Sequence, residues 1–213
     1  MTDWSVMTKA RRRPAPRTVD LEPTKEGRLL EASCKVFAEK GFGGASVDQI
    51  AQEAGIAKGT VYLYYPSKEE LYWATLRRGL EAVCTRVRAE MEKAKDLRGK
   101  IRALFATKIA FFNSNRDFYK IYQAEFGPVR APLHGHKELR ELYLEQVRSL
   151  ERIIDEAGKA GEIRKVPAET AAFVLSDLTR GVITRRLFGW SKVDAEDEVD
   201  FLVDFVFKGL SGR

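Results

Sequence analysis

The stretch from Val47 to Tyr64 constrains the fold most. Val47, Ile50, Ala51 and Ala54 recur at i, i+3, i+4 and i+7, the apolar stripe of a short helix. Ser46 stands before it as an N-cap, and Gly55 ends it at a point where the backbone must turn sharply. Ile56 follows as the one apolar side chain the turn must drive inward. A second short helix then runs from about Lys58 to Tyr64 and stops before Pro66, with Val61 as its buried contact. Two short helices crossing steeply over a small residue, Ala51, joined by a tight glycine turn, make a helix-turn-helix.

The elements around this unit are also helical. Thr24 caps a helix with Leu29, Leu30, Cys34, Phe37 and Ala38 on one face; Gly41 ends it, and Gly43 and Gly44 make the turn. Ser67, with Glu70 three residues on, opens a fourth helix that reaches about Ala94. Further helices are predicted over about 97–113, 117–126, 138–157, 167–188 and 195–208. Breaks fall at Gly127-Pro128, Pro132 to Gly135, Gly158 to Gly161 and Gly189-Trp190. Of 7 prolines, Pro14, Pro16 and Pro23 lie before residue 24, so the rest of the chain is largely free of the strongest helix breaker. No strand alternation or internal repeat is present, and the expected fold is all-α.

Residues 1–23 carry Lys9, Arg11, Arg12, Arg13 and Arg17 with no hydrophobic period, and read as a disordered basic arm that can add contacts to DNA. The net charge is +6, yet residues 24–75 hold 6 basic and 7 acidic side chains. Any phosphate affinity there must come from a few placed groups and from the arm. Cys34 and Cys84 read as buried thiols. His134 and His136, flanking Gly135, lack the ligand neighbours of a metal site. No phosphate loop, nucleophile elbow or acid–base pair is present, so neither enzyme activity nor a cofactor or metal is expected. No membrane span or secretion signal is seen, and a cytoplasmic location is expected.

Gly41 to Leu71, from Gly41-Phe42-Gly43-Gly44 through Ser46, Gln49-Ile50-Ala51, Gly55, Lys58-Gly59-Thr60-Val61-Tyr62 and on to Ser67-Lys68-Glu69-Glu70-Leu71, resembles the DNA-binding signature of the TetR family of transcriptional regulators. The likeness extends over about Leu29 to Leu76, under a quarter of the chain. Tyr65 is the one small departure, where the family has phenylalanine. The resemblance implies an N-terminal three-helix helix-turn-helix DNA-binding domain (24–75) and a C-terminal helical ligand-sensing and dimerisation domain (76–213). Lys58, Gly59 and Thr60 are then expected at the major groove, with Lys58, Thr60 and Tyr62 at base edges and Tyr64 at phosphate. Ser46 and Lys68, at helix starts, are expected to clamp the DNA backbone.

In the second half, Phe173, Val174, Leu178, Val182 and Ile183 mark one apolar helix, and Val199, Leu202, Val203, Val206 and Leu210 another, widened by Phe201 and Phe205. Two such helices per subunit suit a four-helix bundle between two copies of the chain. Aromatic residues with interleaved polar groups, Phe105, Phe112, Phe118, Tyr122, Gln123 and Tyr143, are the candidate pocket for a small, apolar effector. The expected whole is a dimeric repressor on palindromic operator DNA, released when an effector moves the fourth helix. The alternatives are a helix-turn-helix activator and a DNA-binding dimer without a small-molecule inducer.

Overall fold

The computed structural model describes residues 24–126 and 137–210. The expected arm over 1–23 and the break carrying His134 and His136 lie outside the described residues, as does the side chain of Leu210. Among the described residues every regular element is helical: α1 (Lys25–Gly44), α2 (Val47–Ala54), α3 (Lys58–Tyr64), α4 (Lys68–Glu92), α5 (Leu97–Ser114), α6 (Arg116–Phe126), α7 (Lys137–Ala160), α8 (Ala168–Leu187) and α9 (Ala195–Leu210).

Local chemistry explains the boundaries. The Thr24 hydroxyl accepts from the Gly27 N–H at 3.0 Å and starts α1. Gly41 breaks the regular turn at φ 69° and ψ 170°, a conformation closed to residues with a Cβ, and the chain bends there toward α2. At Ser46 a two-way capping box forms: its hydroxyl accepts from Gln49 N–H and its own N–H donates to Gln49 Oε1. Gly55, in the left-handed region at φ 67°, closes α2. Ser67 accepts from Glu70 N–H to open α4, and Asp96 accepts from Gly99 N–H to open α5.

A continuous core runs the length of the molecule. Leu29, Phe37, Ile50, Val61 and Leu71 fill it at one end, and Leu80, Ile101, Leu104, Phe105 and Phe112 at the other. Helix α4 is the common wall, with α1, α5, α6 and α7 all packed on it. The boundary expected near residue 75 therefore falls inside an unbroken helix, and the two halves of the chain share α4. They are joined a second time by α6, which packs on α1 as well as on α4 and α5. At that second joint the Phe118 ring lies against the backbone of α4: a Cβ on Gly79 would sit 2.2 Å from its Cε2 atom. Only glycine admits this approach. No helix among the described residues is long and apolar enough to cross a membrane, and no described group of three or more His, Cys, Asp or Glu can hold a metal.

Candidate nucleic-acid interface and effector cavity

Helix α3 is held by one buried side chain, Val61, 1 % exposed, set against Ala51 of α2 and backed by half-buried Ile56. Pinning the helix by that face turns Lys58, Gly59, Tyr62, Leu63 and Tyr64 to solvent, with Thr60 half-buried. Tyr62 and Tyr64 are 45 % and 40 % exposed. Lys58 Nζ pairs with Asp48 Oδ2 of α2 at 2.8 Å, and this hydrogen bond and charge raise its pKa. The pair is open to water, so exchanging Asp48 for another anion costs little. The residues singled out from sequence on α3 are thus accessible around the circumference that Val61 leaves open, apart from the half-sunken Thr60.

Leu63 was missed by the sequence reading. It is the most exposed large apolar residue among the described ones at 85 %, on the same short helix. The absence of any role for it in the apolar stripe was the signal: an aliphatic side chain on the outer face of this short helix has no core to fill.

The two expected backbone clamps differ. Ser46 uses its oxygen as the cap acceptor, which leaves its hydroxyl hydrogen available to an external acceptor. The Lys68 side chain is not free in that way. Its ammonium donates to the carbonyls of Phe42 and Ala45 at 2.8 and 2.9 Å and lies 4.6 Å from the centre of the Phe42 ring. Lys68 therefore braces the corner between α1 and α2, satisfying carbonyls that the bend at Gly41 leaves without helical partners. Tyr65, which stands where the family has phenylalanine, uses its extra hydroxyl: the O–H donates to Glu26 Oε1 at 2.7 Å and ties the end of α3 to the start of α1. Burial, then the Glu26 bond, push this phenol well above its usual pKa.

The aromatic residues expected to line a pocket pack on one another instead. Phe105, Phe112, Phe118 and Tyr122 are 0–8 % exposed. Phe112 stacks on Phe118 with centroids 6.0 Å apart, Tyr122 on Phe126 at 4.8 Å, and Phe126 meets Tyr143 at 5.7 Å. Gln123 donates to the Tyr119 hydroxyl, while its buried Oε1 has no partner among the described residues. A cavity of about 600 Å³ lies beside this cluster, between α4, α5, α7 and α8, walled by Cys84, Val87, Met91, Leu104, Leu142, Gln146, Leu150, Ile153 and Ser176. None of Phe105, Phe112, Phe118, Tyr122, Gln123 and Tyr143 lines it. Ring size drew the sequence reading to the residues that fill space rather than to those that border it. Both thiols are unpaired; Cys84 is buried as expected and Cys34 only partly so, and burial pushes them up to about 11 and about 12.

On α8 and α9 the apolar stripes divide. Ile183, Val199, Leu202 and Val203 are buried within the subunit, whereas Phe173, Val174, Phe201 and Phe205 are 38–67 % exposed. Phe201 and Phe205 stack on each other, centroids 6.1 Å apart, on the outer face of α9.

Residues 29–75 match the sequence signature of the family described as bacterial regulatory proteins, tetR family. The transcriptional regulator YhgD of Bacillus subtilis is 30 % identical over 192 residues, covering 87 % of this chain and 96 % of that one. The transcriptional activator FasR of Mycolicibacterium smegmatis is 32 % identical over 97 residues; this chain spans 44 % of its length, and the match takes in 46 % of this chain. In three dimensions the regulator FadR of B. subtilis, solved in complex with stearoyl-CoA, superposes with a TM-score of 0.72 at 20 % identity, covering 86 % of this chain and 98 % of that one. With its signature at the α2–α3 unit and a full-length regulator at 30 % identity, the chain belongs to the TetR family of helix-turn-helix transcriptional regulators.

Proposed function

We propose that this regulator is a dimeric, ligand-responsive repressor in which α3 reads operator DNA and the cavity behind α4 receives the effector. The observation that carries the reading is that α4 serves both sites: its first turns lie in the α1–α3 core, and its later turns supply Cys84, Val87 and Met91 to the cavity wall. In this reading residues 24–75 form the DNA-binding part and 76–213 the sensing and dimerisation part, hinged on one helix.

Lys58, Gly59, Thr60 and Tyr62, joined by Leu63, face the major groove, with Lys58 leaving Asp48 for a guanine edge or phosphate. Tyr64 and the Ser46 hydroxyl hold the DNA backbone; Lys68 contributes by fixing the corner from which α2 and α3 project. The exposed Phe173, Val174, Phe201 and Phe205 meet the same residues of a second subunit, closing a four-helix bundle. Two recognition helices set this way must span half-sites about 34–36 Å apart. A ligand entering between α4 and α7 moves α4, and through Gly79 and Phe118 it moves α6 against α1. A shift of a few ångströms then disfavours the paired fit.

Fluorescence anisotropy of the dimer on the DNA upstream of its own reading frame, against a scrambled duplex with salt varied, tests the first half of the reading. Tight binding to a palindrome, well above the control, supports it. Equal and steeply salt-dependent binding to both duplexes, the mark of phosphate contact alone, contradicts it for that DNA.

A further inference from the structure

Lys108 is the one strongly buried lysine of the sensing half among the described residues. It lies on α5, 7 % exposed. Its ammonium makes a single hydrogen bond, to the Ser176 carbonyl, and no described carboxylate pairs with it. That carbonyl belongs to the interior of α8 and already serves the helix ladder. An ammonium has three donors, so two are without acceptors in a dry interior. Burial pushes its pKa down to about 8; Asp177 of α8 and Cys84 of α4 act against this, and Arg180 of α8 adds to it. Asp177, the acid that faces it, is bound to Arg180 at 2.8 Å and half exposed. An arrangement of this kind costs stability unless something else requires the charge.

What stands next to it gives the requirement. Lys108 is not itself a wall residue, but Ser176, whose carbonyl it holds, and Cys84, near enough to act on its charge, both line the cavity, as does Gln146. Cys84 Sγ contacts Gln146 Oε1 at 3.6 Å, which turns the amide nitrogen away; that Nε2 atom is buried and has no partner among the described residues. The Cys84–Gln146–Ser176 part of the wall therefore carries an unanswered amide donor and has a buried cation directly behind it. The rest of the wall joins an apolar part, Val87, Met91, Leu104, Leu142, Leu150 and Ile153, to a charged part that includes Arg88, Glu92, Lys100, Glu145 and Arg152.

We infer that the effector is an amphipathic carboxylic acid whose carboxylate sits inward against Lys108 and Gln146 and whose hydrocarbon body lies along α4 and α7. This deepens the regulator reading and rests on it for the site. A rotation about the last side-chain torsions takes the ammonium from the Ser176 carbonyl to the cavity, and the carboxylate answers donors that the empty protein leaves unmatched. The orientation is opposite to that expected of a large-headed acyl thioester, whose bulky polar end suits the charged, solvent-exposed part of the wall with Arg88, Arg152, Glu92 and Glu145.

Calorimetric titration of the intact protein with straight-chain fatty acids, the matching primary alcohols and the matching coenzyme A thioesters tests this. The acid is expected to bind about ten-fold tighter than the alcohol of equal length, or more, as hydrogen bonds to a charged pair require. Lys108→Met is expected to bring the two together while leaving alcohol binding in place. Its unfolding temperature without ligand should be equal or higher, because the variant removes a buried charge; a mere helix brace would lower it. Equal affinity for acid and alcohol in the unaltered protein overturns the inference whether or not the variant folds. So does thioester binding without acid binding, or a lack of binding by all three. Operator anisotropy measured alongside separates the two claims. Release by alcohol as readily as by acid sinks the carboxylate and keeps the regulator, whereas acid binding with no effect on DNA does the reverse.

Discussion

The two sites are built in opposite ways. At α3 the chemistry is displayed outward from a short helix pinned by Val61, and its residues lie within a few turns of one another in sequence. In the sensing half the chemistry is enclosed, and its groups come from α4, α5, α7 and α8, between Cys84 and Ser176. The display site tolerates water because its charges, such as the Lys58–Asp48 pair, are exposed and exchangeable. The enclosed site holds an amide donor, Gln146 Nε2, without a protein partner among the described residues, and a buried ammonium behind its wall. A regulator needs both kinds: a surface that meets DNA quickly and an interior whose energy changes when it is filled. In the proposed reading the shared helix α4 makes one answer to the other.

The contrast is broken most severely at the proposed subunit boundary. Phe201→Glu with Phe205→Glu places charge on an exposed face, so the subunit is expected to fold while the dimer is lost. Operator affinity should fall by more than about 3 kcal/mol, the difference between paired and single half-sites; sedimentation and anisotropy together check this. Next in size, Tyr62→Ala is expected to weaken operator binding by ~1–3 kcal/mol with unfolding temperature and effector binding unchanged. Lys58→Ala should act in the same direction and flatten the salt dependence. An unchanged titration for both would remove α3 as the reading face. Gly79→Ala forces a methyl into the Phe118 ring and is expected to cost about 1–3 kcal/mol in denaturant unfolding. It should also alter how far effector weakens DNA binding, which a surface alanine would not. The smallest effect belongs to Tyr65→Phe, which gives up a partly exposed hydrogen bond to Glu26, about 0.5–1 kcal/mol of stability by thermal unfolding.

The same contrast explains what could be read in the sequence. Caps, glycine turns and stripes act over three or four residues, so Thr24, Ser46, Gly55 and Ser67 set helix ends that the structure repeats. The accessible residues of α3 were legible for the same reason, apart from Leu63, which no apolar pattern claims. For Lys68 the position at a helix start was legible, but not that its length lets it reach carbonyls 23 and 26 residues away in sequence. The cavity was not legible at all. Whether Phe112 or Leu104 borders empty space depends on how four helices meet, and ring size points to the residues that fill the gap. Lys108 is a lysine like many others in the sequence until the fold puts Cys84 and Ser176 beside it.

The central claim is that one helix couples the two sites, and linkage tests it most directly. Operator affinity should be measured with the cavity empty and with it saturated, using a ligand whose occupancy is established by calorimetry on the same sample. The account predicts that saturation weakens operator binding, by ~1–3 kcal/mol for a typical coupling, and that operator DNA weakens the ligand by the same factor. Full occupancy of the cavity with operator affinity unchanged would contradict it.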